Sequence, residues 1–250
     1  MCRIRVLAAV GPLLSLLLTS TAAHADGGFP GGRSWAVGLG VATSPSPFID
    51  HQTETLPFPL VVYQGERFRA LGAGMSYRLL GSIWGSLDLT AIPRFEGFDP
   101  KAGSALDGMK ERKGTLELGA DLTFGPLSLA VSQDAAGVHQ GQEASLSFGV
   151  PWHGKRWELI SSLGIKWKSA NLVDYYYGVR ETEANANRPS YEGSSAFALT
   201  SDLTLTSQVS WNWLLFASVQ GERLPSAITG SPIVEDEYQL SSFVGIIRII

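Results

Sequence analysis

Apolar and polar residues alternate with a period of two along most of the chain beyond residue 33. Between Thr115 and Phe124, the even positions hold leucine, alanine or phenylalanine, whereas the odd positions hold threonine, glutamate, glycine or aspartate. Residues 142–150 and 197–206 repeat this contrast, and a further apolar row runs from Val209 to Val219. A period of two is typical of β-strands whose two faces meet different environments. The sequence therefore predicts an all-β fold.

Three features favour a membrane barrel over a soluble β-sandwich. Many alternating segments reach ten or more residues, as a tilted strand needs to cross a bilayer. Their polar face carries small residues and carboxylates, as a wet lumen would. Aromatic residues lie near the predicted strand ends, as in the girdles of outer-membrane barrels. These residues are Trp35, Tyr63, Tyr77, Trp84, Trp152, Trp157, Trp167, Tyr175, Tyr176, Tyr177, Trp211 and Trp213. Only a closed barrel satisfies every backbone group of a sheet in lipid.

The connections predict a closed antiparallel barrel of about ten strands. The predicted strands are residues 34–43, 58–79, 82–95, 114–124, 126–134, 141–150, 156–169, 195–206, 209–221 and 237–249. Longer loops at 44–57, 96–113, 135–140, 170–194 and 222–236 alternate with short turns, as extracellular loops alternate with periplasmic turns. A turn at Gln64 to Glu66, together with a strand at Tyr175 to Glu181, would raise the number to twelve.

Five carboxylates are predicted to face the lumen: Asp88, Glu117, Asp121, Glu143 and Asp202. Charges removed from water need partners, and Arg94, Lys166 and Lys168 are the candidates. A barrel of this size holds a narrow lumen. A polar core plugged by ion pairs is therefore preferred to a selectivity filter.

The N-terminus is typical of a secretory signal peptide. Arg3 and Arg5 precede a thirteen-residue, mostly apolar stretch from Val6 to Leu18, and Ala23-His24-Ala25 supplies the small residues of a cleavage site. We expect residues 1–25 to be removed and residues 26–250 to form the barrel domain. The stretch is too short for a spanning helix of about 20 residues. Cys2 precedes it, so lipidation at the cleavage point is rejected.

Composition narrows the function. Without Arg3 and Arg5 the chain has 17 basic and 23 acidic residues, a net charge of −6, and no basic cluster, so nucleic-acid binding is not expected. The domain has no cysteine, which excludes disulfides. No histidine–cysteine spacing suggests zinc and no glycine loop suggests a phosphate site, so neither a metal nor a cofactor is predicted.

Four segments resemble the MipA/OmpV family of outer-membrane proteins. Residues 106–112 (LDGMKER) are similar to a loop L-x-G-M-x-x-R, and residues 134–141 (DAAGVHQG) to D-x-S-G-x-H-x-G, with Ala136 at the small polar position. Residues 175–179 (YYYGV), followed by Arg188 and Tyr191, resemble Y-Y-Y-G-V with R-x-x-Y, and residues 231–234 (SPIV) resemble S-P-I-V. The candidate interaction positions are Gly108, Met109, Arg112, Asp134, His139, Gly141, Tyr175, Tyr176, Tyr177, Gly178, Arg188, Tyr191, Ser231 and Pro232.

The resemblance implies a non-enzymatic scaffold in the outer membrane of a Gram-negative cell, surrounded by lipid and lipopolysaccharide. It further implies binding of a membrane-bound lytic transglycosylase and a bifunctional penicillin-binding protein, which would couple murein cutting to murein synthesis. The contact surface would then lie on the periplasmic side, where the turn Pro151 to Arg156 is a candidate. The chain departs from barrels that end in Phe or Trp, because it ends Ile249-Ile250.

Other functions stay open. The long loops offer area for an adhesin or a host-recognised antigen, and a narrow pore is a further hypothesis. Of His51, His139 and His153, His139 could pair with Asp134 at the barrel rim as a lipid hydrolase. The favoured interpretation is that Asp134 and His139 order their loop, since no nucleophile motif accompanies them. The run Glu235-Asp236-Glu237 suggests a solvated face more than a cation site.

Two candidate segments do not have a single interpretation. Tyr175 to Tyr177 would form either an aromatic girdle, which is favoured, or a contact patch for a partner. Gly108, Met109 and Arg112 would belong to a loop that folds over the lumen and pins Arg112 against inward carboxylates.

Overall fold

A computed structural model of the chain describes residues 33–50, 54–100 and 104–250. Across these residues twelve antiparallel strands form one closed barrel, in which each strand pairs with its neighbours in sequence and β1 closes the sheet against β12. The strands are β1 (Ser34–Ser44), β2 (Glu54–Gln64), β3 (Phe68–Leu71), β4 (Gly74–Ser82), β5 (Gly85–Arg94), β6 (Thr115–Phe124), β7 (Leu127–Asp134), β8 (Gln142–His153), β9 (Trp157–Lys168), β10 (Ala196–Ser210), β11 (Trp213–Arg223) and β12 (Tyr238–Ile249).

The all-β closed barrel is confirmed, and the strand number is twelve instead of ten. The segment 58–79, predicted as one strand, contains residues 58–64 of β2, all of β3 and residues 74–79 of β4. A turn does follow Gln64, as the twelve-strand alternative required, and a second turn is made possible by Gly72 at φ 56°. The other half of that alternative is wrong, because Tyr175 lies in a helix. The short hairpin of β3 and β4 was missed within the predicted strand 58–79, because alternation alone does not mark a reversal of chain direction.

Short and long connections alternate between the two ends of the barrel, as predicted. The short-turn end carries the start of β1 and the end of β12, and it is assigned to the periplasm; the long-loop end is assigned to the extracellular side. The turn between β3 and β4 is an exception, because it is directed toward the extracellular end and yet is short. The predicted signal peptide lies outside the described residues, as does His51. Among the described residues, no helix is long and apolar enough to cross a membrane.

The outer surface of the barrel is apolar. The predicted rows on β6, β8 and β10 face outward, with exposed residues such as Leu118, Phe148 and Leu199. A girdle of exposed aromatic residues surrounds the periplasmic end, and its tryptophans are Trp35, Trp84, Trp152, Trp157, Trp211 and Trp213. Aromatic girdles lie at the headgroup level of a bilayer, so this girdle marks the periplasmic interface of the membrane that holds the barrel.

One side of the lumen, formed by β1, β2, β11 and β12, is filled with apolar side chains. This apolar plug consists of Ala36, Ala42, Leu60, Val62, Leu214, Phe216, Phe243 and Ile247, all buried. Gly245 makes room for it, because a Cβ there would lie 2.7 Å from side-chain atoms of Leu60 and Phe243. The sequence predicted a polar core held by ion pairs, and the apolar plug was missed because inward and outward rows are both apolar on these strands.

The opposite side of the lumen is charged, and the five predicted carboxylates do face inward. Arg94 contacts Glu117 at 2.7 Å and Glu143 at 2.9 Å, as predicted. Asp88 pairs instead with Arg69, at 3.0 Å, and with Arg78. The predicted lysines do not meet these carboxylates: Lys166 and Lys168 contact Glu222, at 3.0 and 2.6 Å. Glu222 was placed in a loop by the sequence, but β11 extends to Arg223.

Candidate functional site: a cap over the extracellular mouth

The long connections pack together into a cap over the extracellular mouth. The cap comprises residues 45–50, 95–100, 104–114, 135–141, 169–195 and 224–237. It contains the short helices α1 (Ala170–Tyr177) and α2 (Ser226–Thr229). Its own apolar core is formed by Phe48, Phe98, Leu106, Met109, Leu172, Val173, Tyr176, Tyr177, Val179, Leu224, Ile228 and Ile233. All the candidate positions lie in the cap or at its junction with the strands.

Helix α1 packs one face into the apolar core of the cap. Its side chains Leu172, Val173, Tyr176 and Tyr177 recur at helical spacing and are buried. The Tyr177 hydroxyl donates to Glu96 Oε1 at 2.5 Å. Both predictions for the tyrosine run are therefore wrong for its last two residues, which form neither an exposed girdle nor an exposed contact patch.

The other tyrosines tie α1 to the loop after β5. The Tyr176 hydroxyl donates to the Lys113 carbonyl at 3.3 Å, and the Lys113 amide donates to the Tyr175 hydroxyl at 3.0 Å. Gly178 ends the helix, where a Cβ would lie 2.3 Å from the Asp174 carbonyl oxygen. A glycine is needed because the backbone approaches so closely at this position.

Arg112 is held by a loop carboxylate. Its guanidinium donates to both oxygens of Glu183, at 3.1 and 2.8 Å, and both side chains are 2% exposed. Burial acts to raise the pKa of Glu183, but hydrogen bonds from Arg112 and from the Lys110 and Arg180 amides outweigh it, so that the pKa falls to about 2. The predicted loop over the lumen is confirmed, whereas the predicted pairing of Arg112 with lumen carboxylates is wrong.

Arg188 joins the two largest loops. Its guanidinium donates to the carbonyls of Ala105 at 2.6 Å, Asp107 at 3.0 Å and Glu183 at 2.9 Å. Gly108, next to Asp107, has φ 86°, a conformation that glycine adopts without strain. Met109 follows it into the apolar core of the cap.

Tyr191 and Ser231 fasten the last loop. The Tyr191 hydroxyl donates to the Ala227 carbonyl at 3.0 Å, and the Ser231 hydroxyl donates to the Tyr177 carbonyl at 2.6 Å. Pro232 follows and leads into a bridge between Val234 and Phe48. The first and last extracellular loops thereby meet over the mouth.

Asp134 organises the tight loop between β7 and β8. Its carboxylate accepts hydrogen bonds from the backbone amides of Ala136, Gly137, His139 and Gln140, at 2.7 to 3.1 Å. It also accepts the Thr115 hydroxyl at 2.5 Å. The prediction that Asp134 orders this loop is confirmed.

His139 is placed for structure and does not form a dyad with Asp134, whose carboxylate binds the His139 backbone instead. Its Nδ1 accepts the Gly141 amide at 2.9 Å, and its Nε2 lies 3.5 Å from Glu117 Oε1. The imidazole is fully buried. A general base needs access to the substrate, so this geometry gives no support to the hydrolase hypothesis.

A polar chain connects the cap with the charged side of the lumen. From Tyr177 it passes to Glu96, then to Arg94 at 2.6 Å, and on to Glu117, which lies beside His139. Sequence reasoning missed Glu96 and Glu183, because single acidic residues in long loops carry no spacing that assigns a partner. Helix α1 did carry a signal, namely apolar residues at positions i, i+1, i+4 and i+5.

The remaining acidic run is solvated. Glu235, Asp236 and Glu237 are exposed. No group of three or more metal-ligating side chains occurs among residues 33–50, 54–100 and 104–250. Most candidate side chains of the cap are engaged within it, through the hydrogen bonds of Arg112, Asp134, Arg188, Tyr191 and Ser231.

The closed sheet, the apolar outer wall and the aromatic girdle define an outer-membrane β-barrel. A family model described as MltA-interacting protein MipA matches residues 37–249. The chain therefore belongs to the MipA family, as the four sequence segments suggested.

Named relatives agree with this assignment. The chain is 24% identical over 234 residues to the MltA-interacting protein of Escherichia coli K12, covering 90% of this chain and 92% of that protein. It is 28% identical over 189 residues to the outer membrane protein OmpV of Vibrio cholerae, covering 71% of each. Among solved structures, an outer membrane channel from Pseudomonas putida F1 aligns with a TM-score of 0.43 and 13% identity, over 91% of this chain and 99% of that one.

Proposed function

We propose that the protein is a non-enzymatic interaction protein of the outer membrane. One observation carries this proposal: the apolar plug fills one side of the lumen, ion pairs fill the other, and the cap packs its candidate residues against each other. Among the described residues, side chains occupy the lumen and the rim histidine His139 is buried, so we infer that the barrel acts through its surfaces. What it can offer a partner is its periplasmic turns and the outer face of its cap.

The partner that we propose is a membrane-bound lytic transglycosylase, with a bifunctional penicillin-binding protein as the second member of a murein-assembling complex. The name of the Escherichia coli relative supports this choice. Murein lies in the periplasm, so the contact would use the short turns. The turn between β4 and β5 presents Ile83, which is 93% exposed, and the turn after β8 presents Lys155 and Arg156. Short turns bury little area, so the affinity would be modest.

Binding of purified components tests the proposal. The refolded barrel in detergent micelles would be titrated separately with the soluble domains of the lytic transglycosylase and of the penicillin-binding protein from the same bacterium. We expect saturable binding that weakens several-fold for Ile83→Asp, with Asn212→Ser in another periplasmic turn as the matched control. No binding to either murein enzyme by a folded barrel would overturn the proposal. Equal binding by both variants would move the contact away from the β4–β5 turn.

A second candidate is recognition at the cell surface. It is favoured by the segment 184–187, which is exposed yet fixed at its base by a bridge between Asn185 and Arg188. Rigid exposed tips bind with a low entropic cost. Host-cell adhesion by bacteria that display the wild-type protein would be compared with adhesion by an Asn187→Lys variant. Unchanged adhesion in a strain that lacks the protein would exclude this function.

A further inference from the structure

The barrel wall is incomplete on its extracellular half, between β2 and β5. Strand β3 has four residues, and it pairs with β2 only through Val62, Tyr63 and Gln64. Strand β4 reaches Ala91 of β5 and no farther. Among the described residues, 54–60 of β2 and 92–94 of β5 therefore have no strand beside them on these facing edges. We call the opening above the β3–β4 hairpin the lateral window.

Prolines line both edges of the lateral window. The Val61 carbonyl accepts the Gly72 amide at 2.9 Å, so the backbone of Val61 points toward β3. Backbone direction repeats every second residue, and Pro59 and Pro57 consequently present their backbone nitrogens to the same free edge. Proline has no N–H to leave unpaired there.

The β5 edge follows the same rule. Leu116 of β6 turns its carbonyl toward the Ala135 amide, at 2.9 Å, and thus away from β5. Pro93 lies opposite Leu116 and therefore turns its backbone away from β6, into the window. Three prolines at these positions remove the donors with which a further strand would pair. A peptide strand, or the edge of a second copy of the chain, is for that reason a poor occupant.

Apolar side chains lie directly behind the window. Phe58 from β2, Leu71 from β3 and Phe95 after β5 are partly buried and pack against the apolar plug. Outside the window, Pro57, Pro59 and Val61 face outward, in register with the exposed Val41, Leu39 and Val37 of β1. Apolar side chains thus lie on both faces of the wall at the window, whereas Arg94 at the end of the β5 edge turns to the charged side of the lumen.

We propose that the lateral window binds the hydrocarbon chain of a membrane lipid, inserted from the outer leaflet. The occupant is apolar because the side chains outside and behind the window are apolar. Water in the window would leave this apolar surface hydrated, which is unfavourable. A chain lodged between the prolines would cover the remaining exposed parts of Phe58, Leu71 and Phe95. The window lies in the extracellular half of the wall, which selects the outer leaflet.

Spin-label accessibility tests this proposal. The barrel domain, residues 26–250, has no cysteine, so single-cysteine variants of it can be labelled specifically. Labels would be placed at Phe58→Cys behind the window, at Phe216→Cys behind the closed wall, and at the lipid-facing Leu39→Cys as the reference. In phosphatidylcholine–phosphatidylglycerol vesicles, accessibility to oxygen reports lipid, and accessibility to a nickel chelate reports water.

We expect oxygen accessibility at residue 58 to exceed that at residue 216 several-fold and to approach that at residue 39, with low nickel accessibility. Leu71→Cys is the second reporter if the first variant fails to show the gel shift of a folded barrel. A label at residue 58 as shielded as the one at residue 216 would overturn the proposal. High nickel accessibility would also overturn it, because the window would then hold water.

Discussion

At the scale of single residues, the pair of Arg112 and Glu183 should carry much of the stability of the cap. Removing one partner leaves the other charge buried and unpaired, at a cost of about 3–5 kcal/mol. Arg112→Ala should therefore increase amide exchange throughout residues 178–191 and leave the strands protected. Lys113→Ala is the matched control, since Lys113 is 69% exposed and lies 3.8 Å from Glu111. Equal exchange in the two variants would contradict this role.

The same pair predicts an effect of acid on the cap. The pKa of Glu183 is about 2, below the ordinary value of about 4.3 in an unfolded chain. A lowered pKa contributes stability that is complete above about pH 4.5 and is lost as the pH falls toward 2. Proteolysis of the cap by pepsin should accelerate between pH 4.5 and 2. Glu183→Gln should be cleaved faster at the upper limit and depend less on pH.

At the scale of elements, the strands could be predicted from alternation, whereas the β3–β4 hairpin could not, and the helical signal of α1 was outweighed by its tyrosine run. Alternation reports two unlike faces, which β6 and β8 have. In α1, Tyr175 to Tyr177 were interpreted as strand-end aromatics, although Leu172, Val173 and Tyr176 follow helical spacing. The eight-residue helix is too short to be stable alone, and its formation depends on tertiary packing within the cap.

The packing of α1 against β8 gives a prediction at this scale. A Cβ on Gly141 would lie 2.6 Å from the Leu172 amide nitrogen and 2.9 Å from His139 Nδ1. Gly141→Ala should displace α1 from its contact with residue 141 and expose Tyr176. The exposure would be measured by mass spectrometry as faster nitration of that tyrosine. Gly149→Ala within β8 is the control, because its nearest contact would be 3.5 Å. Unchanged nitration in Gly141→Ala would show that the helix is held otherwise.

At the scale of the whole molecule, the sequence predicted a barrel with a polar lumen, and the structure divides that lumen in two. The charged side was foreseen through Arg94 and Glu117, because isolated charges in alternating strands must face inward. The plug was hidden, since Leu60 and Phe243 lie in strands that are apolar on both faces. Likewise, the convergence of distant motifs into one cap depends on loop packing, which has no periodic signal.

The divided lumen makes a prediction about permeability. A twelve-stranded sheet encloses more space than an eight-stranded one, which side chains alone fill. Here the plug occupies one side, and the salt bridges of Arg94 and Glu222 occupy the other. The purified wild-type barrel should therefore show no stable conductance in planar bilayers. Removing ring volume with Phe216→Ala and Phe243→Ala together should open a path on the plug side and give discrete conductance steps. The outward Val244→Ala is the control, since it leaves the plug intact. Steady conductance by the wild type would mean that the plug does not seal the lumen, and the interaction role would lose its structural basis.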